Sequence, residues 1–184
     1  MRRSPAGTAT FVAVPAALLA GALAFWALSS GTREERDQPR QQASGPVTVA
    51  APPLSERAAT VCRALTSQLP AAIRDRARRP VTAGTAQNAA YGDPPIVVSC
   101  GVEEPRVPQV AQLLILSGVC WFPEEQGGTQ IWTTVDREAP VRVTLPQQYD
   151  PAGQWVIDLS PAINGAVPSN DRPCLTTVAP SSPR

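Results

Sequence analysis

The residues best suited to covalent chemistry are four cysteines, Cys62, Cys100, Cys120 and Cys174. No two of them form a CxxC pair, so their spacing offers neither a redox dithiol nor a zinc-binding knuckle. An even number of widely spaced cysteines in a domain outside the cytoplasm reads as disulfides. Three pairings are open, and Cys62–Cys100 with Cys120–Cys174 is the one expected. The first bridge would pin an opening helix to the first strand, and the second would tie the C-terminal end to the sheet. Closing loops of this size contributes roughly 3–4 kcal/mol in the chain-entropy description.

The other chemistry is bounded by what is missing. The chain has no His, and all 16 of its basic residues are Arg. Without His there is no Ser-His-Asp or Cys-His relay and no imidazole metal ligand. Without Lys there is no Schiff base and no Ser-x-x-Lys acylation site. No Gly-rich phosphate loop and no EF-hand-like run of Asp is present. Glu103-Glu104 and Glu124-Glu125 are adjacent acids, but glycosidase chemistry needs carboxylates about 5–10 Å apart across one bond. Both pairs read as exposed loop charge. No catalytic residue, metal site or cofactor is therefore expected. The candidates for surface binding are Tyr91, Trp121 and Arg137. Tyr91 opens the rigid turn Tyr91-Gly92-Asp93-Pro94-Pro95, Trp121 could serve an aromatic platform, and Arg137 sits at a hairpin tip. Core packing is the competing role for Trp121, as for Trp132 and Trp155. A formal net charge of +1 gives no reason to expect a nucleic-acid partner.

These residues must be held by elements that the hydrophobic pattern outlines. Ala58, Val61, Cys62, Leu65 and Leu69 lie on one helical stripe behind a Ser55 cap. Pro70 ends that helix or begins a short second one carrying Ala72 and Ile73. Arg74, Arg76, Arg78 and Arg79 then read as a solvated helix face, or else as a contact for anionic headgroups or a polyanion. The remainder is β-rich. Ile96–Cys100 is a strand, and Leu113–Leu116 with Val119–Phe122 form a second, broken at Gly118. Thr129–Val135 and Val141–Leu145 form an antiparallel hairpin around Asp136–Pro140. Trp155, Ile157 and Leu159 alternate as one more strand, and Ser160-Pro161 would start a short helix. The expected fold class is α+β, one amphipathic helix packed on a mostly antiparallel sheet, preceded by a membrane helix.

The N-terminus supplies that last element. Arg2 and Arg3 precede Ala9–Leu28, a run without charge and about as long as the 20 or so residues that span a bilayer. Basic residues on the near flank favour a cytoplasmic N-terminus. The expected organisation is a basic cytoplasmic end at 1–8, a transmembrane helix or signal peptide at 9–28, and a flexible Pro-rich stalk at 29–53. An extracytoplasmic domain at 54–174 and an unstructured tail at 175–184 complete it. The location follows: single-pass in the cell membrane with the domain outside, or secreted after cleavage at Ala22-Leu23-Ala24 or Ala27-Leu28-Ser29.

The order of several short motifs is similar to that of one known family. These are Cys62-Arg63-Ala64-Leu65 with Leu69-Pro70, Tyr91-Gly92 with Pro94-Pro95, Cys100-Gly101-Val102 with Pro105, and Val119 with Trp121. Thr133-Thr134 with Arg137, and Val141-x-Val143 with Pro146 and Tyr149, follow. From about residue 50 to residue 168 the chain resembles the actinobacterial membrane or secreted proteins grouped as domain of unknown function 3515. In that family Trp often stands where this chain has Tyr91, and the Cys62 and Cys100 equivalents typically occur without the other two. The resemblance implies an anchored extracytoplasmic domain and no particular activity. The expected function is a non-catalytic binding or accessory module of the cell envelope, attached to the membrane by its N-terminal helix and meeting an envelope protein or wall component. The alternatives are a carboxylate-dependent envelope hydrolase and a structural subunit of a membrane complex.

Overall fold

The computed structural model describes residues 44–174. The expected membrane segment at 9–28, the basic end, most of the stalk and the tail at 175–184 lie outside the described residues. Among those described, no helix is long and apolar enough to cross a membrane.

The fold is α+β. Eight strands form one sheet in the order β1-β2-β3-β4-β8-β7-β6-β5. They are β1 (Ala72–Ile73), β2 (Arg76–Arg79), β3 (Asn88–Tyr91), β4 (Ile96–Cys100), β5 (Leu114–Leu116), β6 (Val119–Gln126), β7 (Thr129–Thr134) and β8 (Val141–Pro146). Every pair of neighbouring strands is antiparallel. The topology is two four-stranded meanders joined where β4 pairs with β8. Helices α1 (Glu56–Gln68) and α2 (Gly153–Ala166) carry the apolar stripes that cover one face.

Helix α1 follows its sequence signals. The Ser55 hydroxyl accepts a hydrogen bond from the Ala58 N–H, satisfying one of the donors left open at a helix start. Its buried stripe is Val61, Cys62, Leu65 and Thr66. The hairpin of β7 and β8 also forms as its alternation requires, with Trp132 opposite Val143 and Thr133 opposite Arg142.

Three expectations are corrected. Residues 72–79 are strands rather than helix, because the chain reverses at Arg74, whose φ is 53°. Ile73 thereby pairs with Arg76 across a two-residue loop. The break at Gly118 is a full reversal: Ser117 (φ 48°) and Gly118 (φ 77°) are both left-handed, as a tight hairpin turn demands, so two strands replace one. Trp155–Leu159 is helical. Val156, Leu159, Ser160 and Ile163 are buried at i, i+3, i+4 and i+7, whereas Ile157 is exposed. Ser160 is no cap; it lies inside α2 and its hydroxyl donates to the carbonyl of Val156. Pro161 is likewise interior.

The core between helices and sheet includes Cys62, Leu65, Ile73, Tyr91, Ile96, Val98, Trp121, Trp132, Val143, Val156 and Ile163. A smaller cluster of Cys120, Phe122 and Val135 lies apart from it, with Val107, Ala111, Leu113 and Cys174 packed on it. Side chains alternate between faces along a strand. Trp121 therefore points to the main core, and Cys120 and Phe122 point to the other side of the sheet. The face opposite the helices thus has its own partial cover.

Candidate functional site

That second face carries two rows of side chains set by the strand register. One row runs Asn88, Ser99, Arg142, Thr133, Phe122, and the next runs Ala90, Val97, Thr144, Ile131, Glu124. Period-2 alternation puts Val97 and Ser99 of β4 and Arg142 and Thr144 of β8 here. Their neighbours Ile96, Val98, Val141 and Val143 go to the main core.

The face is walled on one side by residues 47–52, the outer end of the expected stalk. This stretch is fixed to the domain. Val47 is buried and forms a parallel bridge with Val81. The Val49 N–H donates to the Thr82 hydroxyl at 3.2 Å, and the Asn88 amide donates to the Ala50 carbonyl at 2.9 Å. Gln87 donates to the Pro52 carbonyl at 3.2 Å. The strap crosses so close to Gly84 (φ 60°) that a Cβ there would lie 2.7 Å from that of Ala51. Asn88 is 2% exposed, and its Oδ1 is buried without a donor.

Between this strap and the chain after β4 is a cleft of about 390 Å³. Val97, Ser99, Arg142 and Thr144 line it, with Thr48, Val49 and Ala50 from the strap and Val102 and Glu103 beyond Cys100. Arg142 is the group around which the cleft's electrostatics turn. It is half-buried, and its Nε donates to the Thr133 hydroxyl at 3.4 Å, a long bond. Among the described residues it has no carboxylate within ion-pair distance, and the Ser99 and Thr144 hydroxyls have no hydrogen-bond partner.

Several other arginines differ. Arg137 is held by Asp136 and three oxygen acceptors, Arg79 by Asp93 and the carbonyls of Gly45 and Gly92, and Arg76 by Asp75 with the Tyr149 ring beneath it. Arg74 bonds Asp158 and Gln154 and stacks on Trp155, and Arg78 donates to the Thr66 carbonyl. Each arginine of the stretch 74–79 thus makes an intramolecular bond, while Arg74 and Arg78 remain exposed. A guanidinium is charged at every physiological pH, and partial burial without a counter-charge leaves its donors underused. Such a site favours a planar anion that accepts two parallel N–H bonds.

The cysteines expected to pair do so. Cys62 bridges Cys100 and Cys120 bridges Cys174, with Cα separations of 5.5 and 5.7 Å. The first ties α1 to β4 at the edge of the cleft, where Cys100 lines it. The three candidates for surface binding are instead enclosed. Tyr91 and Trp121 are fully buried, and Arg137 is 6% exposed. Tyr91 lies in the face under α1 and donates its hydroxyl to the Pro70 carbonyl at 2.9 Å. Burial pushes its phenol pKa up, against an opposing effect of Arg78. Trp121 faces the main core edge-on to Trp132. Arg137 is turned inward from the hairpin tip, bonding the Gly118 carbonyl and the Asn164 side chain, each at 2.6 Å.

The cleft residues were missed as a site. The alternation Val141-Arg142-Val143-Thr144-Leu145 already put Arg142 and Thr144 on one face. The sequence does not reveal that this face stays open while the flanking ones are covered. No group of three or more His, Cys, Asp or Glu suited to a metal ion occurs among the described residues. The family model described as "Protein of unknown function (DUF3515)" matches residues 12–172. No curated protein and no solved structure matches the chain.

Proposed function

The chain belongs to the DUF3515 family, and on that premise we propose that it is a non-catalytic ligand-binding domain of the cell envelope, carried outside the membrane by its N-terminal segment. The observation that carries the binding role is the cleft centred on Arg142, a half-buried cation with no acidic partner among the described residues. An extracellular location is compatible with the pairing of all four cysteines, since structural disulfides persist in oxidising compartments. The family match begins at residue 12, inside the apolar run Ala9–Leu28, so that run is part of what the family shares.

Binding is favoured over hydrolysis because Glu103 is the one acidic residue lining the cleft. Carboxylate-driven hydrolysis uses two such groups on opposite sides of the reacting bond. The test is a photo-crosslinking side chain placed at Val97, on the cleft floor, in intact cells. The same group at Ile157, on the exposed side of α2, is the control. A discrete adduct formed at Val97 and absent at Ile157 is the expected result. Equal adducts at both positions, or none at Val97, would argue against the cleft as a binding site.

A further inference from the structure

We propose that the cleft recognises an organic carboxylate, the free chain end of a short peptide, with Arg142 as its anchor. This rests on the ligand-binding reading above and names the ligand's chemistry. Three polar groups share this face and line the cleft. Ser99 is the direct cross-strand partner of Arg142, and Thr144 follows Arg142 on the same face. Positions so related lie about 5–7 Å apart, and the Ser99–Thr144 diagonal about 7–8 Å, so a ligand end seated on Arg142 has a hydroxyl on either side. Neither hydroxyl has a partner among the described residues, which leaves two donors beside a guanidinium.

The charge selects the anion. A carboxylate carries one negative charge and two coplanar oxygens that fit the fork of a guanidinium. A phosphate brings nearly two charges and is ordinarily met by several cations or a helix N-terminus. Here the cleft holds one Arg, and Glu103 at its wall would repel a dianion about twice as strongly as a monoanion. That same carboxylate can accept an N–H from a peptide. Val97, Val49 and Val102 offer apolar contact to a small side chain, and about 390 Å³ lies within the usual range for small-ligand clefts.

The experiment titrates the full chain, bridges intact, and follows the side-chain Nε–H resonance of Arg142 by NMR. The probes are N-acetyl-alanyl-alanine, the same dipeptide as its C-terminal amide, and inorganic phosphate. The acid is expected to shift the resonance saturably, and the amide and phosphate to bind at least about tenfold more weakly. Arg142→Gln is expected to lose binding of the acid by a similar factor, measured by calorimetry. Arg142→Lys, which keeps charge and loses the fork, should also weaken it, and serves if the Gln variant fails to fold. Equal affinity for acid and amide, a preference for phosphate, or no saturable shift with the acid would each overturn the proposal. If that happens while the Val97 adduct still forms, the cleft binds another chemistry and only the carboxylate assignment falls.

Discussion

At the scale of single residues, buried polarity separates structural roles from binding. Arg137 and Arg142 are five residues apart in sequence, the first at a hairpin tip and the second within the strand that follows. The structure gives them opposite environments. Arg137 joins three elements: the β7–β8 connection, the Gly118 turn between β5 and β6, and the C-terminal end of α2 through Asn164 and Val167. Asp136 completes the clasp, its Oδ1 lying 3.3 Å from Arg137 Nε while its Oδ2 accepts the Cys120 N–H. Replacing Arg137 by Met would strand these acceptors and leave Asp136 without its counter-charge. The expected loss is about 3–5 kcal/mol in urea unfolding of the oxidised chain, and a loss below 1 kcal/mol would show the clasp to be incidental. Nothing in a single sequence distinguishes an inward arginine from an outward one at a hairpin tip; only the carbonyls brought in from elsewhere do.

At the scale of elements, the residues that were easiest to read formed elements with two concordant signals. Helix α1 has a cap and a stripe, and β7 and β8 have alternation and a connecting loop of turn residues. Helix α2 was misread because Trp155, Ile157 and Leu159 satisfy a strand period by coincidence. Its start carries no side-chain cap, and its interior Pro161 resembles a first-turn proline. The Gly118 turn gives a local test. Its positive φ, and an added Cβ only 2.9 Å from the Asn164 amide nitrogen, make Gly118→Ala destabilising by about 1–2 kcal/mol in urea unfolding. An unchanged denaturation midpoint would contradict the turn geometry. The bridges differ in access. Cys62 of α1 and Cys100 of β4 are both buried between helix and sheet, whereas Cys174 is half-buried at the C-terminal edge of the described domain. Under graded reductant, Cys120–Cys174 is expected to open first, followed by alkylation and mass analysis. Prior opening of Cys62–Cys100 would contradict that order.

At the scale of the whole domain, two helices cover one face of the sheet and loops only partly cover the other. The exposed remainder is where the cleft forms. Two tyrosines tie the covered side together. Tyr91 donates to the Pro70 carbonyl, and Tyr149 donates to the Pro94 carbonyl at 2.6 Å. Burial raises both phenol pKa values, in Tyr149 against the opposing charge of Arg76. A folded-state value above the ordinary one near 10 means that the folded protein holds these protons more tightly than the unfolded chain. Their contribution is complete below pH of about 10 and disappears as pH rises through the raised values, so stability should fall steeply in that alkaline window. Replacing both by Phe should flatten the fall, as read by thermal melting across pH. Glu138 behaves with the opposite sign. A hydrogen bond from Arg57 lowers its pKa, so its small, solvent-screened contribution is lost on acidification.

The most direct measurement of the central claim, an outward-facing domain with an open cleft, is labelling of Thr144→Cys in intact cells with a membrane-impermeant maleimide. The expected result is rapid labelling of the variant without permeabilisation, with no labelling of the parent chain, whose four cysteines are paired. Labelling only after the membrane is breached, or labelling of the parent's own thiols, would contradict the account.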